Sequence, residues 1–328
     1  MKAYVLRSYG SPDQLHLTEV DTPAPGHDEV LVRVRATSVN PYDWHNMRGE
    51  PYVARMMPGG PGLLSPRLRI LGCDMAGRVE AVGRGVTGFR PGDDVYALLE
   101  QGGFAEYVVV PARLLARMPG NLSYEAAAAV PMAGVTALVA VRDRGRVQPG
   151  QTVLVNGASG GVGTFAVQIA RALGARVTGV CSTRNIELVR SIGAEEVIDY
   201  RTAAFPRSGR RYDVLIDVAG RRSLSAYRRT LTPKGTLVLV GGPASRWWQP
   251  AGHIFSVMAR GPFVSQRIVL ADAVACPTKQ QALETLTDLI ERGDVSPVID
   301  RHHAFAEIPA AVRYQEAGHA HGKVVVSV

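Results

Sequence analysis

Cysteine is scarce in this chain: three in 328 residues, at positions 73, 181 and 276. They are scattered and odd in number, and neither C-x-x-C nor H-E-x-x-H occurs, so neither a disulfide framework nor a structural zinc site is supported. Long apolar runs are missing too. The longest, residues 126–141, is broken by Pro131 and Gly134 and falls short of a membrane span. The first residues, Met1-Lys2-Ala3-Tyr4-Val5-Leu6, pass straight into a strand pattern with no apolar targeting segment, so the expected setting is the cytoplasm. Basic residues outnumber acidic ones, 37 to 29, for a net charge of +8. The excess is mostly arginine, with pairs at Arg210-Arg211, Arg221-Arg222 and Arg228-Arg229, and with no basic run and no interleaved aromatics. That pattern argues for solvated helix faces and against nucleic acid.

What is present is an ordinary soluble composition, 46% hydrophobic and 20% charged, in a chain long enough for two cored domains. Thirty-five glycines and twenty-one prolines imply many tight turns. The organising stretch is Thr152-Val153-Leu154-Val155-Asn156 followed by Gly157-Ala158-Ser159-Gly160-Gly161-Val162-Gly163. Apolar positions 162, 165, 166, 169 and 173 then form a helical stripe that Gly174 ends. Strand, glycine turn and helix place backbone N–H groups against a pyrophosphate, although the spacing departs from strict G-x-G-x-x-G.

Residues 175–180 read as the next strand, ending in Cys181-Ser182-Thr183-Arg184. No acid lies between Gly163 and Glu187, where a carboxylate would bind a ribose 2′-hydroxyl. Hydroxyls and an arginine suit a 2′-phosphate instead, so NADP(H) is the expected cofactor. The same residues also fit a serine cap with an arginine on a solvated helix start. Gly157-Ala158-Ser159-Gly160-Gly161 further matches the G-x-S-x-G nucleophile elbow, with Asp217 and histidines 302, 303, 319 and 321 downstream. That hydrolase reading leaves Gly163 and the Ser-Thr-Arg run without a role.

In chain order, the first third alternates short strands with Gly/Pro corners at 2–6, 15–20, 29–39, 77–83, 95–98 and 104–110, as in an antiparallel β-barrel. A helical region follows from 123 to about 141. Strands and helices then alternate: 152–156, 161–173, 175–180, 184–192, 196–198, 213–217, 222–230 and 236–240, a doubly wound parallel sheet. A strand near Val264, a helix over 278–292 and a terminal strand over 322–328 complete the reading.

The chain resembles the medium-chain dehydrogenase/reductase superfamily, specifically its zinc-free quinone oxidoreductase (zeta-crystallin-like) branch. The resemblance rests on Asn40-Pro41-Tyr42-Asp43-Trp44, residues 72–83, Ala133-Gly134-Val135-Thr136-Ala137, residues 156–163, Val197-Ile198-Asp199-Tyr200 and Gly322-Lys323-Val324-Val325. It implies an α/β fold: a GroES-like β-barrel catalytic domain over 1–121, completed by 271–328, and a Rossmann NADP(H)-binding domain over 122–270. Zinc-dependent relatives carry a cysteine near residues 38–40 and Gly-His-Glu where this chain has Gly72-Cys73-Asp74, so zinc-assisted alcohol oxidation is not expected.

The implied activity is hydride transfer from NADPH to a quinone or an α,β-unsaturated carbonyl, helped by proximity and by hydrogen bonds to developing oxyanion charge. By resemblance Asn40 lies at the acceptor, and Tyr52 is the phenol best placed to bind or protonate an enolate; Tyr42 and Arg48 are weaker candidates. Asn40 also fits a helix cap, with Pro41 at N1 and Asp43 at N3. Residues 53–69 read as a variable loop over the acceptor site. Thr136 is assigned to the nicotinamide side, and Ser159, Gly160, Gly161, Val162 and Gly163 to the pyrophosphate. Ser182, Thr183, Arg184 and Tyr200 are assigned to the 2′-phosphate, Gly241 and Gly242 to the nicotinamide, and Lys323 to the cofactor from the tail. For Thr136 and Lys323, helix packing and surface charge are the alternatives. The family suggests a homodimer paired through the last Rossmann strand. A second class of function, an NADPH-binding sensor or scaffold with little turnover, fits the same glycine loop.

Overall fold

The computed structural model describes residues 1–328 except 57–59, 203–208, 221, 242–250 and 319, and omits the side chains of 251, 253 and 262. The chain folds as two units. One comprises Met1–Met132, Cys276–Arg292 and Pro297–Val328; the other comprises Ala133–Ala275 and Gly293–Ser296.

The strands of the first unit are β1 (Lys2–Leu6), β2 (Leu15–Glu19), β3 (Glu29–Val39), β4 (Asp74–Val82), β5 (Asp94–Leu98), β6 (Tyr107–Pro111) and β7 (Leu115–Arg117). The second unit contributes β8 (Thr152–Asn156), β9 (Arg176–Cys181), β10 (Glu196–Asp199), β11 (Tyr212–Asp217), β12 (Leu231–Leu239) and β13 (Arg267–Leu270). The chain then returns to the first unit with β14 (Ile299–Ala304) and β15 (Lys323–Ser327). The helices are α1 (Pro41–Arg48), α2 (Tyr124–Ala128), α3 (Pro131–Leu138), α4 (Gly161–Ala172), α5 (Ile186–Ser191), α6 (Leu224–Thr230), α7 (Ala251–Met258), α8 (Lys279–Glu291) and α9 (Ile308–Glu316).

In the first unit β3 is the hub. It pairs antiparallel with β4, β6 and β15, because its eleven residues are mostly buried on both faces and can serve several neighbours. The sheet runs β14-β15-β3-β4-β5-β7, with β6 branching from β3, a GroES-like arrangement. The terminal strand therefore does return to the first domain, through β15 on β3. Val30, Val32, Val95, Val110 and Leu115 fill one core of this unit; Leu6, Val39, Met47, Phe104, Ile308 and Val326 fill another.

The second unit is a six-stranded parallel sheet in the order β10-β9-β8-β11-β12-β13, the Rossmann-like half of an α/β fold. Its central strands β8 and β11 are buried almost throughout, as a sheet covered on both faces requires. The strand expected near Val264 lies at Arg267–Leu270; Pro262 and the Gly261–Phe263 turn occupy the earlier position. The expected helical region over 123 to about 141 is divided at Pro131 into α2 and α3, then widens into π-helix over Val139–Arg144. Among the described residues no helix is long and apolar enough to cross a membrane.

Candidate functional site

The glycine turn lies between β8 and α4, at the carboxyl edge of the parallel sheet. Gly157 has φ +87, a conformation glycine adopts at little cost, and it reverses the chain out of β8. Gly163 is fixed by contact: a Cβ there would lie 2.0 Å from the Gly157 carbonyl oxygen. A Cβ at Gly160 would meet nothing nearer than the Gly157 carbonyl oxygen at 3.6 Å, an ordinary van der Waals contact, so a methyl has room there. With Gly160 as N-cap, the first N–H groups of α4, on Gly161, Val162 and Gly163, have no acceptor within the helix. Free donors at a helix start, beside backbone that no side chain covers, fit a dinucleotide pyrophosphate.

Behind the turn is a hydrogen-bonded floor that sequence reading did not find. The carboxylate of Asp217, fully buried at the end of β11, accepts from Asn156 Nδ2 at 2.7 Å, from the Gly220 N–H at 3.0 Å and from the Tyr227 hydroxyl. It locks the end of β8 to that of β11. Gly241 follows β12 at the same edge, where a Cβ would lie 2.5 Å from the Val218 carbonyl. Gly242 lies outside the described residues. Thr136 is buried on α3.

The hydrolase reading does not survive this geometry. Ser159 Oγ accepts from Asn185 Nδ2 at 2.9 Å, and Asp217 is spent on Asn156, Gly220 and Tyr227 rather than on a histidine. His302, His303 and His321 belong to the other unit; His319 lies outside the described residues.

At the end of β9, Ser182 is buried, Thr183 and Arg184 start a short turn, and Tyr200 is half exposed after β10. The Tyr200 N–H donates to the Cys181 carbonyl at 3.0 Å, so these residues do gather. The chain interval without an acid does not, however, make a region of space without one. Pairing of β10 with β9 brings Asp199 opposite Cys181, and its carboxylate accepts from the Thr183 hydroxyl at 2.5 Å and the Arg201 N–H at 2.9 Å. The Thr183 hydroxyl, first among these, holds the Asp199 carboxyl below its usual range.

The first unit contains a different kind of site, a buried cluster of charges. Asn40 caps α1 by position, but its side chain does not cap the helix. The Asp43 N–H goes to the Asn40 backbone carbonyl at 3.0 Å, and the Asp43 carboxylate returns to the Asn40 N–H at 2.8 Å. The Asn40 amide is thereby released for other partners: Nδ2 donates to Asp74 Oδ2 at 2.8 Å and approaches Cys73 Sγ at 3.3 Å, while Oδ1 accepts from Lys323. Lys323 also donates to Asp74 Oδ2 at 3.0 Å. The Ser38 hydroxyl at 2.5 Å and the Met132 N–H at 2.7 Å complete the shell of Asp74. Asn40 and Lys323 are each 3% exposed and Asp74 0%. The surface-charge alternative for Lys323 is therefore wrong: a salt-bridged, desolvated ammonium begins β15 inside the unit.

Two neighbours respond to this burial. Asp43 is pushed up to about 7, mainly by desolvation and further by the Asp74 charge, against the pull of the Asn40 and Gly72 N–H groups. Desolvation, then Asp43 and Asp74, push the Cys73 thiol well up, so it stays protonated. Sequence spacing alone hides Ser38, Asp43 and Asp74 as members of one cluster with Lys323; the signal available was three polar residues inside otherwise apolar strand and helix starts.

Tyr52 begins a 3-10 turn, Tyr52–Met56, with the Arg55 guanidinium 4.5 Å from its ring centroid. Tyr42 has its phenol pushed up first by burial and further by the nearby Glu100 and Asp43 carboxyls. Arg48 is committed to Glu316 through bonds of 2.7 and 3.0 Å, which removes it from the acceptor candidates.

Residues 26–120 match the family described as alcohol dehydrogenase GroES-like domain, and residues 192–326 match zinc-binding dehydrogenase. The donor set does not fit the zinc of that second description. An ammonium sits within the acidic cluster, and among the described residues no three His, Cys, Asp or Glu side chains group to hold a metal. The chain is 34% identical to the chloroplast envelope quinone oxidoreductase homolog of Arabidopsis thaliana over 99% of this chain and 98% of that one. It is 32% identical to the mitochondrial NAD(P)H oxidoreductase RTN4IP1 of Bos taurus, over 100% and 89%. It is 31% identical to the 2-methylene-furan-3-one reductase of Solanum lycopersicum, over 99% and 79%. With a GroES-like sheet, a Rossmann-like parallel sheet and relatives of this identity over nearly its full length, the chain belongs to the medium-chain dehydrogenase/reductase superfamily, as an NAD(P)H-dependent oxidoreductase of the quinone oxidoreductase and enone reductase type.

Proposed function

We propose that this protein reduces a quinone or an α,β-unsaturated carbonyl with NADPH and without a metal. The observation that carries the reading is the pairing of an intact glycine turn with a charge cluster built around Lys323 and Asp74, where a metal would need deprotonated ligands. NADPH, when bound, supplies the hydride. The N–H groups of Gly161, Val162 and Gly163 hold its pyrophosphate, with Ser159 and Gly160 at the turn. Ser182, Thr183, Arg184 and Tyr200 take the 2′-phosphate, and Thr136, Gly241 and Gly242 take the nicotinamide. Such acceptors need little acid help, so orientation and modest hydrogen bonding carry the step.

At the acceptor end the proposed residues are Asn40 and Tyr52. Lys323 and Asp74 fix the Asn40 amide from both ends, which makes it rigid. Tyr52 supplies a phenol on the 3-10 turn Tyr52–Met56. A second copy would pair through β13, an edge strand flanked by the exposed Phe255 and Phe263, at 75% and 85% exposure.

A second reading, a cofactor-binding sensor with little turnover, is favoured by one fact: the Asn40 amide has its oxygen and its nitrogen already engaged within the protein. Fluorescence titration of NADPH and NADH on the wild type and Arg184→Ala tests the cofactor assignment. The expected result is tighter NADPH binding whose advantage the substitution erases; equal NADH affinity in the wild type removes the 2′-phosphate role, and the carboxylate of Asp199 would be its reason. NADPH oxidation with a small quinone and enone panel then separates the two functions.

A further inference from the structure

The second unit has a basic cavity at the amino edge of its parallel sheet, the edge opposite the glycine turn. It measures about 370 Å³ and is bounded by the segments leading into β8 and β13 and by the first turns of β11 and β12. Between Leu231, which pairs with Tyr212, and Thr236, which pairs with Val214, four residues of β12 leave the ladder and bring Lys234 to the rim. Arg267 opens β13 opposite Thr236. Arg146 comes from the turn after the π-helical segment.

Three cations from three segments thus line one cavity. Burial pulls the Arg267 guanidinium down, and so do the like charges of Arg146 and Arg144. None of the three is paired with a carboxylate among the described residues. Asp213, the acid in the wall, accepts at Oδ2 from the Thr152 N–H and hydroxyl, each at 2.9 Å. Arg267 donates to the Arg144 carbonyl at 2.7 Å, a helix-end contact that accounts for its own position. Among the described residues no such contact accounts for Arg146 or Lys234.

The backbone adds an independent observation. Arg146 has φ +53 and is the one non-glycine residue with positive φ among the described residues. After a helix this position ordinarily goes to glycine. Arginine there indicates that the side chain is wanted at the cavity despite the conformational cost.

We propose that this cavity binds a phosphate-bearing small molecule, at a site separate from the dinucleotide. Two guanidinium forks and an ammonium match a phosphate dianion, with Gln151 and Thr232 in the wall as further hydrogen-bonding groups. Convergence on one cavity, rather than spread along a face, selects a small anion over a polymer.

The test is thermal unfolding and calorimetric titration with inorganic phosphate against chloride at constant ionic strength, on the full chain, comparing wild type, Arg146→Gly, Lys234→Gln and Arg184→Ala. Glycine keeps the Arg146 backbone conformation and removes only the side chain. The expected result is a saturable phosphate response in the wild type and in Arg184→Ala, weakened about tenfold or more by Arg146→Gly and by Lys234→Gln, as loss of one charged hydrogen-bonding group implies. Arg146→Gly should melt no lower than wild type without phosphate. An unsaturable salt response, a response unchanged in Arg146→Gly, or one abolished by Arg184→Ala overturns the proposal, the last assigning the phosphate to the cofactor site. Repeating the titration with glycerol 3-phosphate shows whether the occupant is free phosphate or an organic monoester, the tighter binder being the natural class.

Discussion

The glycine turn of the second unit and the charge cluster of the first are two solutions to the same problem, holding polar groups in a fixed geometry. The turn works with backbone: Gly157, Gly160 and Gly163 are close in sequence, carry no charge, and leave the N–H groups at the start of α4 for a ligand to satisfy. The cluster works with side chains: Asn40, Asp74 and Lys323 are far apart in sequence, two of them are charged, and they satisfy one another. A site made of backbone fails when something is added to it. A site made of buried charge fails when something is removed.

The largest effect should come from removal in the cluster. Lys323→Met leaves Asp74 buried without its cation, for an expected loss of about 3–5 kcal/mol in urea unfolding. Lys323→Met combined with Asp74→Asn should recover part of that loss; no recovery would mean that packing of the lysine stem, not charge, carries the contribution. Addition in the turn comes next. Gly163→Ala puts a methyl 2.0 Å from a backbone oxygen, so it should cost about 1–3 kcal/mol and abolish cofactor fluorescence enhancement.

A pH measurement sharpens the contrast further, because only the cluster has a strongly displaced carboxyl. Asp43 titrates at about 7 when folded, against 3.8 for the free side chain. Between those values the native state holds a proton that the unfolded chain has released. The Asp43 contribution is therefore fully present below about pH 4 and declines as pH rises to about 7, by up to about 1.4 kcal/mol per pH unit. Denaturant midpoints at pH 5 and pH 8 should show this fall in the wild type and a smaller one in Asp43→Asn; equal falls would place the titration elsewhere. The smallest effect is expected at Gly160→Ala, whose Cβ has room: stability should stay within about 0.5 kcal/mol, any change appearing in cofactor affinity alone.

Legibility in the sequence followed the same division. Strands β8, β9, β10 and β11 and helix α4 fall within one or two residues of their expected limits, since apolar runs and glycines mark them locally. Strand β14 gave no such mark: Ile299-Asp300-Arg301-His302-His303-Ala304 is a partly exposed edge strand that needs no apolar face. In the sequence the Asn40 side chain fits a helix cap and an acceptor contact equally, because Pro41 and Asp43 follow it; the side-chain capping bond is made instead by Asp43, and the Asn40 amide bonds Lys323. At the end of β9 the absence of an acid held along the chain and failed in space, since β10 lies beside β9 and carries Asp199 to Thr183.

By itself the sequence determined the α/β class, the position of the glycine turn and the family, because each is written in short-range pattern and backbone need. Only the tertiary structure decided that Lys323 is buried, that Asp43 titrates near neutrality and that Asp199 faces Thr183. Those properties depend on which charges are desolvated together, and residues 283 positions apart, as Asn40 and Lys323 are, meet only when β15 returns to β3.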